Sequence, residues 1–409
     1  MKETVILLGG NKLHRGFDDW KTRNNIDKIY VLDWNDNPAY VGNRHIQVDI
    51  KNVDKVLQII KEQDLGDILF CYTSADIAVL TQVQVHKLLG FQHPPLEAVN
   101  RAACKNKSTA CWKKDQILNR YSEVYKYCEI DKIPKSIDNI IIKPNMSSGS
   151  RAITIINNYK KNIDVVERAF EKAKRQSYDS MVVIEEFVVG TEYTVEMLGD
   201  CQGNVSVLGI SKKYYTKYVT DNRIATKLHY NPSDVSFEQL QQIGEFGQKC
   251  YRSIGLKSSL GHLELIVTDE GIMSPIEIGA RSSGYIATHC LDAINNMSIL
   301  MQYSEVLRGN KVENGLVFNR NKSSMYYFYD IMPGTAQRTS NIMKFAPGEI
   351  HSLQNDRSKL HKDSVFQAVD EDAERFGYEI LVAERNALSI DTVNQMEQNF
   401  LKEFIGKNE

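Results

Sequence analysis

Residues 261–281 hold the side chains best suited to chemistry. Two apolar runs flank Asp269-Glu270-Gly271, a pattern that predicts a β-hairpin with a tight turn. With Glu270 and Gly271 as the loop, Asp269 faces Ile272, and counting back down both strands sets Glu264 opposite Glu277. Directly opposed side chains share one sheet face about 5 Å apart. Two carboxylates that close repel unless a proton or a cation separates them. Magnesium, which takes hard oxygen ligands, suits such a pair at neutral pH. The competing reading is two surface glutamates on an exposed hairpin face. Arg281 follows on the second strand and adds positive charge. Pro275 must sit at an irregularity or turn its backbone away from a ladder partner.

Further candidates lie upstream. The apolar run at 140–142 ends in Lys143-Pro144 and leads into Asn145-Met146-Ser147-Ser148-Gly149-Ser150-Arg151. Such a small, hydroxyl-rich loop between two strands can wrap phosphate oxygens with N–H groups and hydroxyls, and Lys143 at its base adds a point charge. It is not a P-loop, because Gly-x-x-x-x-Gly-Lys-Ser/Thr is missing; an ordinary hairpin loop is the alternative. The stretch from Glu185 to Val188 has the makings of an adenine slot, with backbone groups as the polar edge, and Glu192 can accept from ribose hydroxyls. Lys213 and Arg223 lie in a segment rich in positive charge and rings, facing a substrate or decorating a surface loop. His262 shares the face of Glu264 by alternation, but an imidazole is an unusual ligand for hard magnesium.

These side chains need a scaffold. Short apolar strands at 4–8, 28–32 and 67–71, alternating with helical segments such as 53–61, predict a parallel α/β sheet. Its ligand crevice lies at the carboxyl ends of the strands, where Gly9, Gly10, Asp33 and Asp76 fall. A dinucleotide fingerprint is absent, since His14 and Arg15 stand where glycines are wanted. Gly9-Gly10 is either an edge of a substrate site or a plain scaffold turn. Helices are expected at 78–89, 96–118 (carrying Lys107), 164–175, 236–254 and 286–308. Beyond them, strand candidates at 325–329, 342–345, 365–369 and 378–383 and a final helix at 392–405 predict a mixed α/β appendage. Its tyrosine band reads as core or interface.

Composition narrows the class. The 409 residues carry a net charge of −2, so nothing suggests wrapping a polyanion such as nucleic acid. The seven cysteines form no Cys-x-x-Cys pair. With no signal peptide, free thiols in a reducing cytoplasm are expected. No apolar run is long enough to span a bilayer.

Taken in order, the motifs resemble the ATP-grasp superfamily, in particular its carboxylate–amine ligase branch, which includes L-amino-acid ligases and carbamoyl-phosphate-synthase-like proteins. The matching stretches are Asn106-Lys107-Ser108, then Ile142-Lys143-Pro144 with its loop, then Glu185-Glu186-Phe187-Val188 with Gly190-Thr191-Glu192. Last come His262-Leu263-Glu264 and Ile276-Glu277-Ile278-Gly279-Ala280-Arg281-Ser282-Ser283-Gly284. The resemblance implies an α/β fold, α+β in its centre. It has a parallel domain at 1–100, an ATP-grasp domain at 101–315 whose small lobe spans about 125–190, and a C-terminal mixed domain at 316–409. Lys107 and Lys143 would contact nucleotide phosphates, and Ser147, Ser148 and Gly149 would close over them. Glu185 and Val188 would meet adenine, and Glu192 the ribose. Glu264 and Glu277 would hold magnesium, with manganese as a substitute. Arg281, Ser283 and Gly284 would sit near an acyl phosphate or substrate carboxylate. One departure stands out: many members place Asn two residues after the second metal glutamate, where this chain has Gly279. The implied reaction joins a small carboxylic acid, an amino acid among the candidates, to an amine at the expense of ATP. A carbamoyl-phosphate-like or purine-pathway ligase and a non-catalytic nucleotide-binding regulator are the alternatives. A homodimer is expected.

Overall fold

The alternation of strand and helix at the N-terminus builds the sheet it predicts. The computed structural model describes residues 3–11, 14, 16–147, 149, 151–216, 224–336, 350–369 and 376–404. Strands Glu3–Leu8, Lys28–Asp33, Arg44–Gln47 and Asp67–Tyr72 form a parallel four-stranded sheet in the order third, second, first, fourth. Val5 to Leu8 are buried without a break, as expected of a parallel strand covered on both faces. Gly9-Gly10 is a scaffold turn. A Cβ on Gly10 would come within 2.3 Å of the Tyr40 carbonyl oxygen, and the Gly10 N–H donates to Asp33 at 2.6 Å.

Strands Ser122–Tyr125, Val182–Glu186, Ile140–Pro144 and Thr154–Ile156 form a second, antiparallel sheet in that spatial order. Helix Ile163–Gln176 backs it. Ile140, Ile142, Ile156 and Ile184 pack with Phe170 in the core of this lobe. Because side chains alternate along a strand, Ile141, Lys143 and Glu185 point to the opposite face.

The large sheet has nine strands. It runs from Met273–Gly279 through Ser259–Val267, Thr191–Gly199, Val205–Tyr215, Ala225–Tyr230, Lys322–Phe328 and Tyr378–Glu384 to Ile350–Asp356. The short strand Gly315–Leu316 pairs to the side of Val205–Tyr215. Helix Phe237–Ile254 covers the apolar face, capped by the Ser236 hydroxyl. The C-terminal segment is mixed, as expected: its three longer strands continue this sheet, and Gly334–Thr335 pairs with Val365–Phe366 in a separate two-stranded one. The tyrosine band divides by alternation: Met325, Tyr327 and Tyr329 belong to a C-terminal core, Tyr326 and Phe328 to the main one.

Two long helices expected from the sequence are each broken. Residues 96–118 form Leu96–Ala102 and Lys105–Lys114. Residues 286–308 form Tyr285–Asn295 and Ile299–Leu307, separated by Asn296 in the left-handed region (φ +52) and restarted by a Ser298 cap. Strand Ile350–Asp356 gave no sequence signal: it lies at the sheet edge and is largely solvated, so its apolar alternation is lost. The expected strand at 342–345 lies outside the described residues.

Candidate active site

The hairpin that organises the site reaches the expected pairing by an unexpected route. Near the turn, Val267 pairs with Met273 and Leu265 with Pro275; further down, Glu264 pairs with Glu277 and His262 with Gly279. The turn therefore holds one residue more than predicted, closed by hydrogen bonds from Thr268 N–H to Ile272 and from Gly271 N–H to Thr268. Gly271 adopts φ +82, the conformation a three-residue loop with a bulge asks of glycine. A bulge at Ile276 then inserts a compensating residue in the second strand. Pro275 sits at this irregularity, where its missing donor does least harm.

One face of the sheet carries buried polar side chains at alternate positions. Glu264 pairs with Thr194 and His262 with Glu196; Thr194 in turn pairs with Ser211. A buried polar group needs a partner, and each has one. His262 lies 2.7 Å from Glu196 and 3.3 Å from Glu264. Burial disfavours a charged His262 ring, yet the Glu196 carboxylate and then Glu264 outweigh it and raise its pKa to about 9. Ring nitrogens that are protonated and committed to carboxylates are poor metal ligands. Lys213 bridges Glu192 (2.5 Å) and Glu264 (2.7 Å). Burial works against the Glu264 charge, but Lys213 and His262 hold its pKa far below the ordinary carboxylate range.

The small lobe supplies the opposite wall. Glu185, 2 % exposed, forms an ion pair with Lys143 Nζ at 2.7 Å and accepts from Arg120 Nη1 at 2.7 Å and Ser122 Oγ at 2.8 Å. Burial alone would raise the Glu185 pKa; Arg120 and Lys143 bring it down to about 2. Arg120 also donates to Ser274 Oγ (2.9 Å) and the Pro275 carbonyl (3.1 Å), tying the bulged strand to this lobe. Burial lowers the Lys143 pKa despite Glu185.

Two cavities, each of about 230 Å³, meet at these residues. The first lies between Ile141 and Ile155 of the small lobe and Ile266 and Ile276 of the hairpin, and is also lined by Val188, Glu192, Lys213 and Ser283. The second lies between the hairpin, helix Leu96–Ala102 and the N-terminal domain. Lys105, Ser147, His262, Glu277 and Arg281 line both. Arg281 makes a two-pronged ion pair with Asp76, 2.6 Å at each contact. Thus the N-terminal domain does lend an edge, through Asp76 rather than the glycine turn.

Most expected site residues meet here: Lys143, Ser147, Gly149, Glu185, Val188, Glu192, Lys213, Glu264, Glu277, Arg281 and Ser283 all line the first cavity. Gly284 lies one residue further on, as the N-cap of helix Tyr285–Asn295 (φ +113). Lys107 does not join them; it is exposed. Lys105 reaches the cleft instead, 2.9 Å from Glu277. Burial opposes its charge, but Glu277 raises its pKa. Ser148 and Arg223 lie outside the described residues. Sequence reading missed Arg120 and Glu196. The one available signal was for Glu196, which keeps the alternation of Glu192 and Thr194.

The donor chemistry of Glu264 and Glu277 fits a hard divalent cation. Both offer carboxylate oxygens from one sheet face, and each is now matched by an ammonium group, Lys213 and Lys105. Among the described residues no cluster of three or more His, Cys, Asp or Glu side chains could enclose a metal. A cation held here would complete its shell with water and bound phosphate, as magnesium commonly does. At Gly279 a Cβ would meet the Arg281 side chain at 3.4 Å, an ordinary contact.

A two-sheet clamp over paired carboxylates, with a parallel domain at its side, is the ATP-grasp fold. Residues 137–289 match the family model of the ATP-grasp domain, so the chain carries one. A D-alanine–D-alanine ligase of Buchnera aphidicola subsp. Schizaphis graminum is 28 % identical over 170 residues, which is 41 % of this chain and 50 % of that protein. The chain thus spans about half the length of the curated relatives it matches. The crystal structure of an L-amino acid ligase from Bacillus licheniformis superposes with a TM-score of 0.74 at 14 % identity, covering 99 % of both chains. The biotin carboxylase domain of Hydrogenobacter thermophilus 2-oxoglutarate carboxylase, solved with MgADP, gives 0.71 at 14 % identity, over 98 % of this chain and 90 % of that one. At such identities the likeness is one of fold. No helix among the described residues is long and apolar enough to cross a membrane.

Proposed function

We propose that this chain is an ATP-dependent carboxylate–amine ligase that joins a small carboxylic acid, an amino acid among the candidates, to an amine, giving ADP and phosphate. One observation carries the reading. Glu277 and Arg281 stand on the border shared by two cavities, which is where a phosphoryl group and its acceptor must meet. The first cavity suits the nucleotide. Its isoleucines offer apolar surfaces to a purine, Glu192 suits the ribose, and Lys143, Lys105, Ser147 and Gly149 suit the phosphates. Glu264 and Glu277 would hold magnesium, or manganese, which neutralises phosphate charge.

The chemistry then needs no side-chain nucleophile. A substrate carboxylate oxygen attacks the γ-phosphorus, the bond to the β-phosphate oxygen breaks, and ADP leaves. The amine nitrogen attacks the resulting acyl phosphate carbonyl, loses a proton, and phosphate departs. Arg281 is suited to stabilise the negative oxygens of that second step. Asp76 holds its guanidinium in place, so burial fails to remove its charge.

The proposal extends to three units, at 1–100, 101–315 and 316–409, and to a cytoplasmic homodimer; the seven free cysteines suit a reducing compartment. A phosphate-release screen with ATP, magnesium and a grid of acids and amines, followed by mass analysis, tests the activity. Release that requires a carboxylate and yields an amide is expected. ADP formed without any coupled product would defeat it.

A further inference from the structure

The second cavity has a chemistry of its own. Its border with the first carries Lys105, Ser147, His262, Glu277 and Arg281, with Asp76 paired to Arg281 beside it, whereas its far side is walled by Val79, Leu80, Val99, Ala102, Ala103 and Ile278. Met146 and Tyr178 of the small lobe close it from above. Val79 and Val99 are largely buried but each keeps an edge on the cavity, and Leu80 is 41 % exposed. A large apolar side chain left open at a cavity mouth is the kind of surface a ligand covers. Away from the border, the remaining polar side chains among its described lining residues are the Asn100 amide and the Tyr178 hydroxyl, and neither carries charge.

Geometry orients whatever binds there. A carboxylate that takes a phosphoryl group from the first cavity must lie on the shared border, beside Lys105 and Arg281. Its substituent is then directed to the far side. A charged substituent would leave water for a wall with no partner of opposite charge, which is costly; an apolar one would gain by burial. We infer that the second cavity selects, as the acid to be phosphorylated, a carboxylic acid with an apolar side chain, and that Leu80 and Val99 set that preference.

This inference rests on the ligase reading, and the test separates the two. Carboxylate-dependent phosphate release is measured with the wild-type protein, ATP and magnesium, across acids bearing leucine-, valine-, methionine- and phenylalanine-like side chains and across acids bearing carboxylate or ammonium side chains. The same grid is run on Leu80→Ser, whose exposed position lets the fold survive, and on Val99→Phe, which fills the cavity. The expected result is a preference for apolar acids. Leu80→Ser should raise the KM for the apolar acid about tenfold, with kcat and the KM for ATP unchanged, and Val99→Phe should shift the preference to a smaller side chain. Release that favours charged acids, or a KM for the apolar acid that Leu80→Ser leaves alone, overturns the assignment while the ligase reading stands. No carboxylate-dependent release with any acid overturns both.

Discussion

Removing the Glu185 charge separates stability from chemistry in a measurable way. Glu185 and Lys143 are each 2 % exposed and Arg120 is 9 % exposed. Glu185→Gln keeps the shape but strips one carboxylate from two buried cations. Arg120 retains Ser274, Pro275 and Glu186 as acceptors. For Lys143, Glu185 is the ion-pair partner among the described residues. Breaking a buried pair from one side costs about 3–5 kcal/mol. At about 2 °C per kcal/mol this lowers the melting midpoint by roughly 6–10 °C. Burial already lowers the Lys143 pKa. Without Glu185 it falls further, which weakens the hold of the lysine on phosphate, and the KM for ATP rises. Lys143→Met removes the buried cation instead and leaves Glu185 paired with Arg120 and Ser122. Its stability should stay within about 1 kcal/mol of wild type, while phosphoryl transfer is lost. Differential scanning calorimetry beside a phosphate-release assay reads both quantities. A Glu185→Gln midpoint within 2 °C or so of wild type, or a Lys143→Met protein that melts as early, would refute the reasoning.

The stability gap between wild type and Glu185→Gln should also depend on pH. The folded pKa of Glu185, about 2, lies below its ordinary 4.5, so the unfolded chain binds more protons between those values. The gap is full above about pH 4.5 and closes as pH falls towards 2, as acid melts of the pair would record. Lys105→Met should cut phosphate release at least about tenfold, while Lys107→Met, on the exposed side of the same helix, should leave it within twofold or so; equal losses would return the role to Lys107. Deleting Ile276 removes the bulge but leaves Glu277 opposite Glu264, so magnesium-dependent turnover should persist with the hairpin formed; abolished turnover with an unchanged circular dichroism spectrum would contradict it.

How much of this was legible in the sequence follows from the range of the forces involved. Strand alternation and turn chemistry are local. They identified the Glu264–Glu277 pair, the Lys143 strand and the small-lobe hinge. The pair emerged from a loop predicted one residue short and a bulge that the count left out, although Pro275 had offered an irregularity there; the two errors cancel at Glu264. Lys105 was invisible because nothing between 96 and 118 breaks helical propensity. The break is made from afar, by Asn145, whose carbonyl accepts from Lys105 N–H (3.2 Å) and whose side chain accepts from Asn106 N–H (2.9 Å). Arg120 sits in a loop without periodicity, and its role exists only once three segments distant in sequence converge on it. The departure at Gly279 was plain in the sequence, and the space beside it gives glycine no steric cause, since a Cβ would make only an ordinary 3.4 Å contact with Arg281.

The continuity of the nine-stranded sheet bears on how the molecule can be dissected. Strand Ala225–Tyr230 is held on one side by Lys322–Phe328, so trimming the chain after residue 315 would bare a row of unpaired amide and carbonyl groups along a fully buried strand. Such an open seam invites other chains to zip onto it. The last ninety-odd residues, however little they contribute to the cleft itself, therefore act as a selvedge that keeps the cloth from fraying.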